Sequence, residues 1–228
     1  MDRYHTGSEL FNEFLDGGYE TSTLNTVYGP SGTGKTCLCI LAAGKIIDNG
    51  KKVVYIDTEG SFSIDRATQI YPWFRDRLDH LMFFKPTSFQ QQHNVISKIS
   101  AINLNNIGMI IVDSIAMFYR MEVAAKKEYH TVNQQLTYQI LSLLKIAREH
   151  KIPVIITSQV YASLESRNKV NMVGGDIIKY SSKCIIELFK QNNVYNAKIN
   201  RHRSIPEGRT CSFYIVDKGI QSTKPKSL

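Results

Sequence analysis

The chain alternates between short apolar runs and longer segments in which apolar residues recur every three or four positions. Short apolar or β-branched runs bounded by polar residues are typical of strands in a mostly buried sheet. We predict strands of this kind at Thr23–Tyr28, Lys52–Asp57, Leu81–Phe84, Gly108–Ser114 and Val154–Gln159.

The segments between these runs have the spacing that places apolar side chains on one face of a helix. One helix is predicted to begin at the glycine-rich stretch that ends at Thr36 and to be capped by Gly50. Others are predicted from Ile64 to Leu78, from Ser88 to Ile102 and from Thr131 to Lys151. A shorter helix opens near Gly7, and residues 115–130 are interpreted as a loop or a frayed helix. Strands that alternate with helices predict an α/β fold with a mostly parallel central sheet and flanking helices.

The last part of the chain has a different pattern. Residues 160–175 form a long polar connection, and strands are predicted after it at Lys183–Lys190, Val194–His202 and Cys211–Val216. Short connections join these strands, so we expect them to extend the sheet in antiparallel fashion. We therefore predict one domain over residues 1–221 and a basic, disordered tail over residues 222–228.

One glycine-rich stretch between a predicted strand and a predicted helix carries the clearest chemistry. It reads G-x-x-x-x-G-K-T and consists of Gly29, Pro30, Ser31, Gly32, Thr33, Gly34, Lys35 and Thr36. Its glycines let the backbone aim N–H groups at phosphate oxygens, its lysine adds a charge for the β- and γ-phosphates, and its threonine hydroxyl suits Mg²⁺. The stretch therefore predicts a nucleoside triphosphate bound with Mg²⁺.

Three polar residues follow other predicted strands, namely Glu59, Asp113 and Gln159. Open α/β sheets bind ligands outside the carboxyl ends of their strands, so these side chains should converge on the phosphate loop. We assign Asp113 to Mg²⁺ with Thr36, Glu59 to the attacking water, and Gln159 to sensing the γ-phosphate. The residue types alone also allow Glu59 as a solvated acid and Gln159 as an ordinary loop residue.

Composition and charge narrow the class of protein. The 228 residues are 43% hydrophobic and 21% charged, and no apolar run approaches the length of a membrane span. The chain also begins without the apolar segment of a signal peptide, so we expect a cytoplasmic protein that does not bind membranes. The formal net charge of +8 is compatible with a polyanionic partner and equally with an ordinary basic surface. The cysteines have no zinc-site spacing and are interpreted as reduced thiols.

Taken together, several motifs resemble the core of the RecA/RadA recombinase family in identity and in order. They are Gly7-Ser8 to Gly18, the loop GPSGTGKT, Tyr55–Phe62, Ile110–Ser114, Ile156–Val160 and Gly174–Ile178. The match extends from about residue 6 to about residue 220. Single motifs in this set range from generic to specific, whereas the combination is highly specific. The resemblance implies a RecA-like P-loop ATPase core that binds ATP and Mg²⁺.

The resemblance also implies roles for individual residues. Glu59 matches the family's catalytic glutamate, Gln159 its γ-phosphate sensor, and Arg66 the arginine that stacks on adenine. Residues 118–130 and 160–173 match the two DNA-binding loops. The cations in these loops are Arg120, Lys126, Lys127, Arg167 and Lys169. These five cations would contact DNA phosphates independently of the base sequence. Residue type alone equally allows them to be solvated surface charges, and it equally allows Arg66 to be a solvated helix residue.

Full-length recombinases of this family carry two features that we do not find here. They have a helical N-terminal domain and a linker whose Phe-x-x-Ala motif inserts into the next subunit. Without these two features the sequence leaves both filament formation by that route and strand exchange open, and it also leaves open self-association by another route. Short family members resemble accessory factors that bind single-stranded or branched DNA, hydrolyse ATP weakly, and assist the main recombinase RadA or modulate a Holliday-junction resolvase.

Two other functions remain open at this point. The same fold supports signalling or clock-like ATPases that act on protein partners, which would leave the basic loops without a role in DNA binding. It also supports replicative helicase-type motors, which require robust DNA-stimulated hydrolysis.

Overall fold

The computed structural model describes residues 2–100, 102, 104–125, 128–162 and 170–222. The helices are α1 Glu9–Phe14, α2 Lys35–Asp48, α3 Ile64–Ile70, α4 Phe89–Ile99, α5 Met117–Ala124, α6 Tyr129–His150 and α7 Gly175–Ser181, with a 3₁₀ helix at Phe74–His80. The strands are β1 Arg3–Tyr4, β2 Tyr19–Glu20, β3 Leu24–Tyr28, β4 Lys52–Asp57, β5 Leu81–Phe84, β6 Ile107–Asp113, β7 Val154–Ser158, β8 Val160–Ala162, β9 Val170–Met172, β10 Cys184–Gln191, β11 Val194–Arg201, β12 Thr210–Val216 and β13 Gly219–Gln221.

A nine-stranded sheet lies at the centre, in the order β13-β12-β11-β10-β3-β7-β6-β4-β5. The six strands from β10 to β5 in this order run parallel to one another. β11, β12 and β13 continue the sheet in antiparallel fashion. The predicted mostly parallel sheet with an antiparallel C-terminal extension is therefore confirmed.

The central strands are buried on both faces, because helices cover the sheet from both sides. On β6, Met109 and Ile111 pack into the cluster that contains α2, whereas Ile110 and Val112 pack into the cluster that contains α4 and α6. Each buried aliphatic side chain contributes about 1.5–3 kcal/mol relative to an exposed one. This two-sided burial explains why β4, β6 and β7 have near-continuous apolar sequences.

Three predicted elements need correction. The helix predicted to Leu78 ends at Ile70, because Tyr71 precedes a proline and is extended, and a 3₁₀ helix takes over at Phe74. The segment interpreted as a loop or frayed helix contains the regular helix α5, and α6 begins at Tyr129. The long polar connection contains β8 and β9, which pair antiparallel.

Other predictions fall outside the described part of the chain. Residues 126–127, residues 163–169 and the tail from residue 223 onward lie there, so the prediction of a disordered tail stays a prediction. Among the residues that the structure describes, none of the helices has both the length and the apolar character needed to cross a bilayer.

Candidate functional site

The phosphate loop connects β3 to α2 and turns back on itself within six residues, from Gly29 to Gly34. Gly34 immediately precedes α2 with φ +101°, in the left-handed region that favours glycine. Gly29 is needed for a close approach, because a Cβ atom there would lie 2.2 Å from the carbonyl oxygen of Leu188 on β10. The loop geometry is therefore the one that the sequence motif predicts.

Lys35 is the first residue of α2, and its side chain is buried inside this loop. Its ammonium group donates hydrogen bonds of 2.9 Å to the carbonyl oxygens of Gly29 and Pro30. Burial lowers the pKa of Lys35, and the nearby carboxylates of Glu59 and Asp113 oppose that shift. The loop thus holds a cation at its centre, which fits a bound phosphate.

Asp113 ends β6 and is 1% exposed. One carboxylate oxygen accepts hydrogen bonds from Thr36 at 2.7 Å and from the Tyr55 hydroxyl at 3.1 Å, and the other accepts one from Thr157 at 2.6 Å. Burial raises the pKa of Asp113, and the bonds from Thr157 and Thr36 oppose that shift. The structure thus brings together Asp113 and Thr36, and their oxygen atoms are of the kind that Mg²⁺ prefers. Tyr55 and Thr157, which sequence analysis missed, orient the carboxylate.

Asp57 is a further residue that sequence analysis missed. Its buried carboxylate accepts hydrogen bonds from three successive backbone N–H groups, those of Gly60 at 2.8 Å, Ser61 at 3.2 Å and Phe62 at 3.2 Å. The bonds close the turn that contains Glu59, so Asp57 shapes the segment that carries the predicted base. An aspartate three residues before Gly60, at the end of a strand, was the available signal in the sequence.

Glu59 and Gln159 meet although they follow different strands. The Gln159 side-chain amide donates a hydrogen bond of 3.1 Å to the Glu59 carboxylate. A guanidinium nitrogen of Arg120, on α5, lies 3.5 Å from the Gln159 side-chain oxygen. A connected line of polar side chains therefore extends from the predicted first DNA-binding loop to the predicted catalytic glutamate.

Arg66 lies on α3 and contacts the end of the sheet. Its guanidinium donates hydrogen bonds to the carbonyl oxygens of Val216 at 2.6 Å and Asp217 at 3.1 Å, and it lies 3.9 Å from the Cys37 sulfur in the first turn of α2. These contacts place Arg66 beside the helix that begins at the phosphate loop. Its stacking on adenine stays a prediction.

Of the five cations predicted to contact DNA, Arg120 lies in the described part of the chain and is exposed. Lys126, Lys127, Arg167 and Lys169 lie outside the described residues. Their assignment therefore stays a prediction from the sequence.

Comparisons with known proteins bear on both the fold and the family. A family model described as Rad51 matches residues 2–223. The DNA repair and recombination protein RadB of Methanococcus maripaludis strain C5 is 39% identical over 214 residues, which cover 93% of this chain and 97% of the relative. The protein of the same name from Methanoculleus marisnigri is 37% identical over 225 residues, which cover 97% and 98%.

A solved structure agrees with these relatives. The crystal structure of the RadB recombinase superposes with a TM-score of 0.79 at 32% identity, and the match covers 96% of this chain and 99% of that one. These matches confirm the resemblance to RecA/RadA recombinases and to their short archaeal members. The solved structure also confirms the RecA-like fold. The chain belongs to the Rad51 family.

Proposed function

We propose that this protein is an ATP-binding accessory factor of DNA repair and homologous recombination that acts in the cytoplasm. It binds single-stranded or branched DNA, hydrolyses ATP weakly, and assists the main recombinase RadA or modulates a Holliday-junction resolvase. Family membership supports this proposal, and so do relatives named DNA repair and recombination protein RadB. The observation that carries it is the contact of Gln159 with Glu59, beside the phosphate loop.

The residues of the site divide the chemistry of ATP binding and hydrolysis among them. Lys35 and the loop N–H groups bind the phosphates, while Thr36 and Asp113 hold Mg²⁺, which would neutralise charge on the phosphate oxygens. Glu59 orients the attacking water and accepts its proton. Asp57 holds the turn on which Glu59 is placed.

The Gln159 contact explains how ATP binding would be coupled to DNA binding. Gln159 is followed directly by β8, which opens the predicted second DNA-binding loop. A Gln159 amide that turns toward a γ-phosphate must weaken its bond to Glu59, and the backbone after it shifts with it. The same bond occupies the Glu59 carboxylate, which is consistent with slow hydrolysis.

Fluorescence anisotropy with labelled single-stranded DNA tests this function, at two salt concentrations and with or without Mg·ATP. We expect binding that weakens steeply with salt, because cations on the protein displace counterions from phosphates. We also expect Mg·ATP to change the affinity of the wild type for DNA. In Lys35→Ala, Mg·ATP should leave the affinity for DNA unchanged. Binding that is absent under every condition would overturn the proposal and favour protein partners.

A further inference from the structure

The hairpin formed by β12 and β13 packs against α2. Val216 pairs with Gly219 across a turn of two residues, Asp217 and Lys218. Gly219 is buried with φ +107°, and a Cβ atom there would lie 2.9 Å from Cδ2 of Leu41 on α2. Glycine is therefore required at this position both by its backbone conformation and by the close approach to the helix.

The same hairpin also contacts the phosphate loop and the core. Cδ1 of Ile215 lies 3.0 Å from the position that a Cβ atom on Gly34 would take, directly before α2. Phe213 is fully buried, and its ring centroid lies 5.5 Å from that of Phe11 in an edge-to-face arrangement. These contacts anchor β12, so the turn at its end has a fixed position in the folded protein.

The turn holds the guanidinium group of Arg66. Its Nη2 donates a hydrogen bond of 2.6 Å to the carbonyl oxygen of Val216 and lies 3.9 Å from the Cys37 sulfur. Its Nη1 donates to the carbonyl oxygen of Asp217 at 3.1 Å and to the side-chain oxygen of Gln69 at 3.0 Å. Each of these nitrogens carries two hydrogen atoms, so each has as many acceptors as hydrogens. The edge of the guanidinium is therefore occupied, whereas stacking uses its face.

We propose that the β12–β13 turn is a positioning element for the base of a bound nucleotide, because it holds the Arg66 guanidinium with one face toward that base. Cys37 directly follows Thr36, so Arg66 lies beside the first turn of the helix that begins at the phosphate loop. This inference rests on the ATP binding of the proposed function and on the assignment of Arg66 to adenine. It gives Val216 and Asp217 a role that they exert through Arg66.

Two consequences follow from a guanidinium that is held by its edge. A free arginine side chain loses rotamer freedom when it stacks on a base, and that loss weakens binding. The turn carbonyls restrict Arg66 in the folded protein, so stacking costs less entropy. An occupied edge also leaves the face of the base as the part that Arg66 contacts, and adenine and guanine both offer a face of this kind. Arg66 should therefore increase affinity without selecting ATP over GTP.

Isothermal titration calorimetry of the full chain tests the inference with Mg·ATP, with Mg·GTP and with the magnesium complex of inorganic tripolyphosphate, which lacks the sugar and the base. Arg66→Ala should bind both nucleotides roughly tenfold more weakly and by the same factor, because a cation stacked on a ring is lost. It should bind tripolyphosphate with wild-type affinity. Arg66→Lys should show the same loss as Arg66→Ala, because an ammonium group keeps the charge but has no planar face.

Gly219→Ala tests the hairpin itself. The added methyl group collides with Leu41 and strains the turn, so the turn carbonyls move relative to Arg66. Affinity for ATP should fall roughly tenfold, as in Arg66→Ala, while affinity for tripolyphosphate is retained. Gly50→Ala is the matched control, since Gly50 also has a positive φ of +75°, and no described residue beyond its chain neighbours lies within 4 Å of the added Cβ atom. This control should bind all three ligands as the wild type does.

A second variant keeps the inference testable if Gly219→Ala is too unstable to titrate. Insertion of two glycines between Asp217 and Lys218 lengthens an exposed turn without a new side chain, and exposed turns tolerate insertions. The insertion should reproduce the selective loss of affinity for ATP. NMR of protein labelled with ¹⁵N-arginine gives an independent readout without any ligand. The Nη hydrogens of Arg66 should exchange slowly in the wild type and rapidly in the insertion variant, and Arg66→Ala identifies their signal.

The outcomes separate this inference from the function on which it rests. Equal wild-type affinity for ATP and tripolyphosphate would overturn the base contact. A loss in Arg66→Ala that neither hairpin variant reproduces would overturn the role of the turn, and an equal loss for all three ligands would show a general effect on the fold instead. An altered ratio of ATP to GTP affinity in Arg66→Ala would contradict the occupied edge. Absence of wild-type binding to every ligand would overturn the ATP binding of the proposed function as well.

Discussion

The side-chain amide of Gln159 donates a hydrogen bond of 3.1 Å to the carboxylate of Glu59, although the two residues are 100 positions apart in the chain. Glu59 follows β4 and Gln159 follows β7, and β6 lies between these strands in the sheet. The contact forms because parallel strands end at one edge. It joins the residue proposed to activate water to the residue that precedes the predicted second DNA-binding loop, and it motivates two of the following predictions.

Lys35→Ala should abolish nucleotide binding. The variant removes a buried cation and its contribution to phosphate binding, and hydrogen bonds to charged groups contribute about 1.5–3 kcal/mol each. Titration with a fluorescent ATP analogue should show affinity at least roughly a hundredfold weaker. Lys45→Ala, a partly exposed residue on the same helix that pairs with Asp48, serves as the control and should bind normally. Binding at wild-type affinity in Lys35→Ala would refute the assignment of the loop.

Glu59→Gln should bind ATP and lose hydrolysis. The amide keeps the size of the side chain but cannot accept a proton from water, and a general base contributes about 10²- to 10⁴-fold to the rate. Single-turnover assays with radiolabelled ATP measure this loss and detect slow hydrolysis. Glu13→Gln, at an exposed position on α1, should hydrolyse at the wild-type rate. A Glu59→Gln variant that does the same would show that Glu59 is not the base.

Gln159→Ala should uncouple DNA affinity from ATP. The variant loses the amide that contacts Glu59 and is proposed to reach the γ-phosphate, while the phosphate loop remains intact. Anisotropy with single-stranded DNA should therefore give the same dissociation constant with and without Mg·ATP, and ATP binding should persist. The control is Gln90→Ala, an exposed residue of α4 that bonds Asn94. An ATP response of wild-type size in Gln159→Ala would contradict the coupling.

Asp57→Ala should destabilise the fold and slow hydrolysis. The substitution leaves the N–H groups of Gly60, Ser61 and Phe62 without their acceptor, and each unsatisfied buried donor costs about 1–3 kcal/mol. Partial access of these groups to water reduces the total, so we expect a loss of about 2–4 kcal/mol in the free energy of unfolding. Urea denaturation measures this loss, and single-turnover assays measure the effect on Glu59. Asp65→Ala, an exposed acid on α3, should change stability by less than about 0.5 kcal/mol.

His202 should make stability depend on pH. Its Nδ1 accepts hydrogen bonds of 3.2 Å from the backbone N–H groups of Ser204 and Ile205, which requires the neutral ring. Burial lowers the pKa of His202, with Arg3 and Arg203 acting in the same direction, and the carboxylates Glu20 and Asp16 oppose it.

The sign of this dependence follows from proton uptake. A histidine in the unfolded chain binds a proton near pH 6.5, whereas the folded protein binds it only at lower pH. The contribution of His202 is therefore fully present above about pH 6.5 and is lost as the pH falls below that value. Urea denaturation between neutral and mildly acidic pH should show a smaller loss in His202→Asn than in wild type. His130→Asn, at an exposed position, should retain the wild-type slope.

Local patterns in the sequence determined much of the nucleotide site. The motif from Gly29 to Thr36 specifies a loop between a strand and a helix, because glycine conformations and helix initiation are properties of neighbouring residues. Apolar runs likewise predicted β4, β6 and β7, since burial on both faces leaves a continuous apolar signature. The same local logic missed the regular helix α5 at Met117–Ala124, which packs against α4 and α6, while α6 packs against β3 and β7.

Tertiary structure alone decided which distant side chains meet. Tyr55 and Thr157 orient Asp113, and Arg66 contacts the carbonyl group of Val216. Alternation of strands and helices does not specify the order of strands in the sheet, and that order sets these contacts. The sequence by itself therefore predicted a nucleotide site and determined the strands that surround it, whereas strand order and helix packing decided which side chains connect that site to the predicted DNA-binding loops.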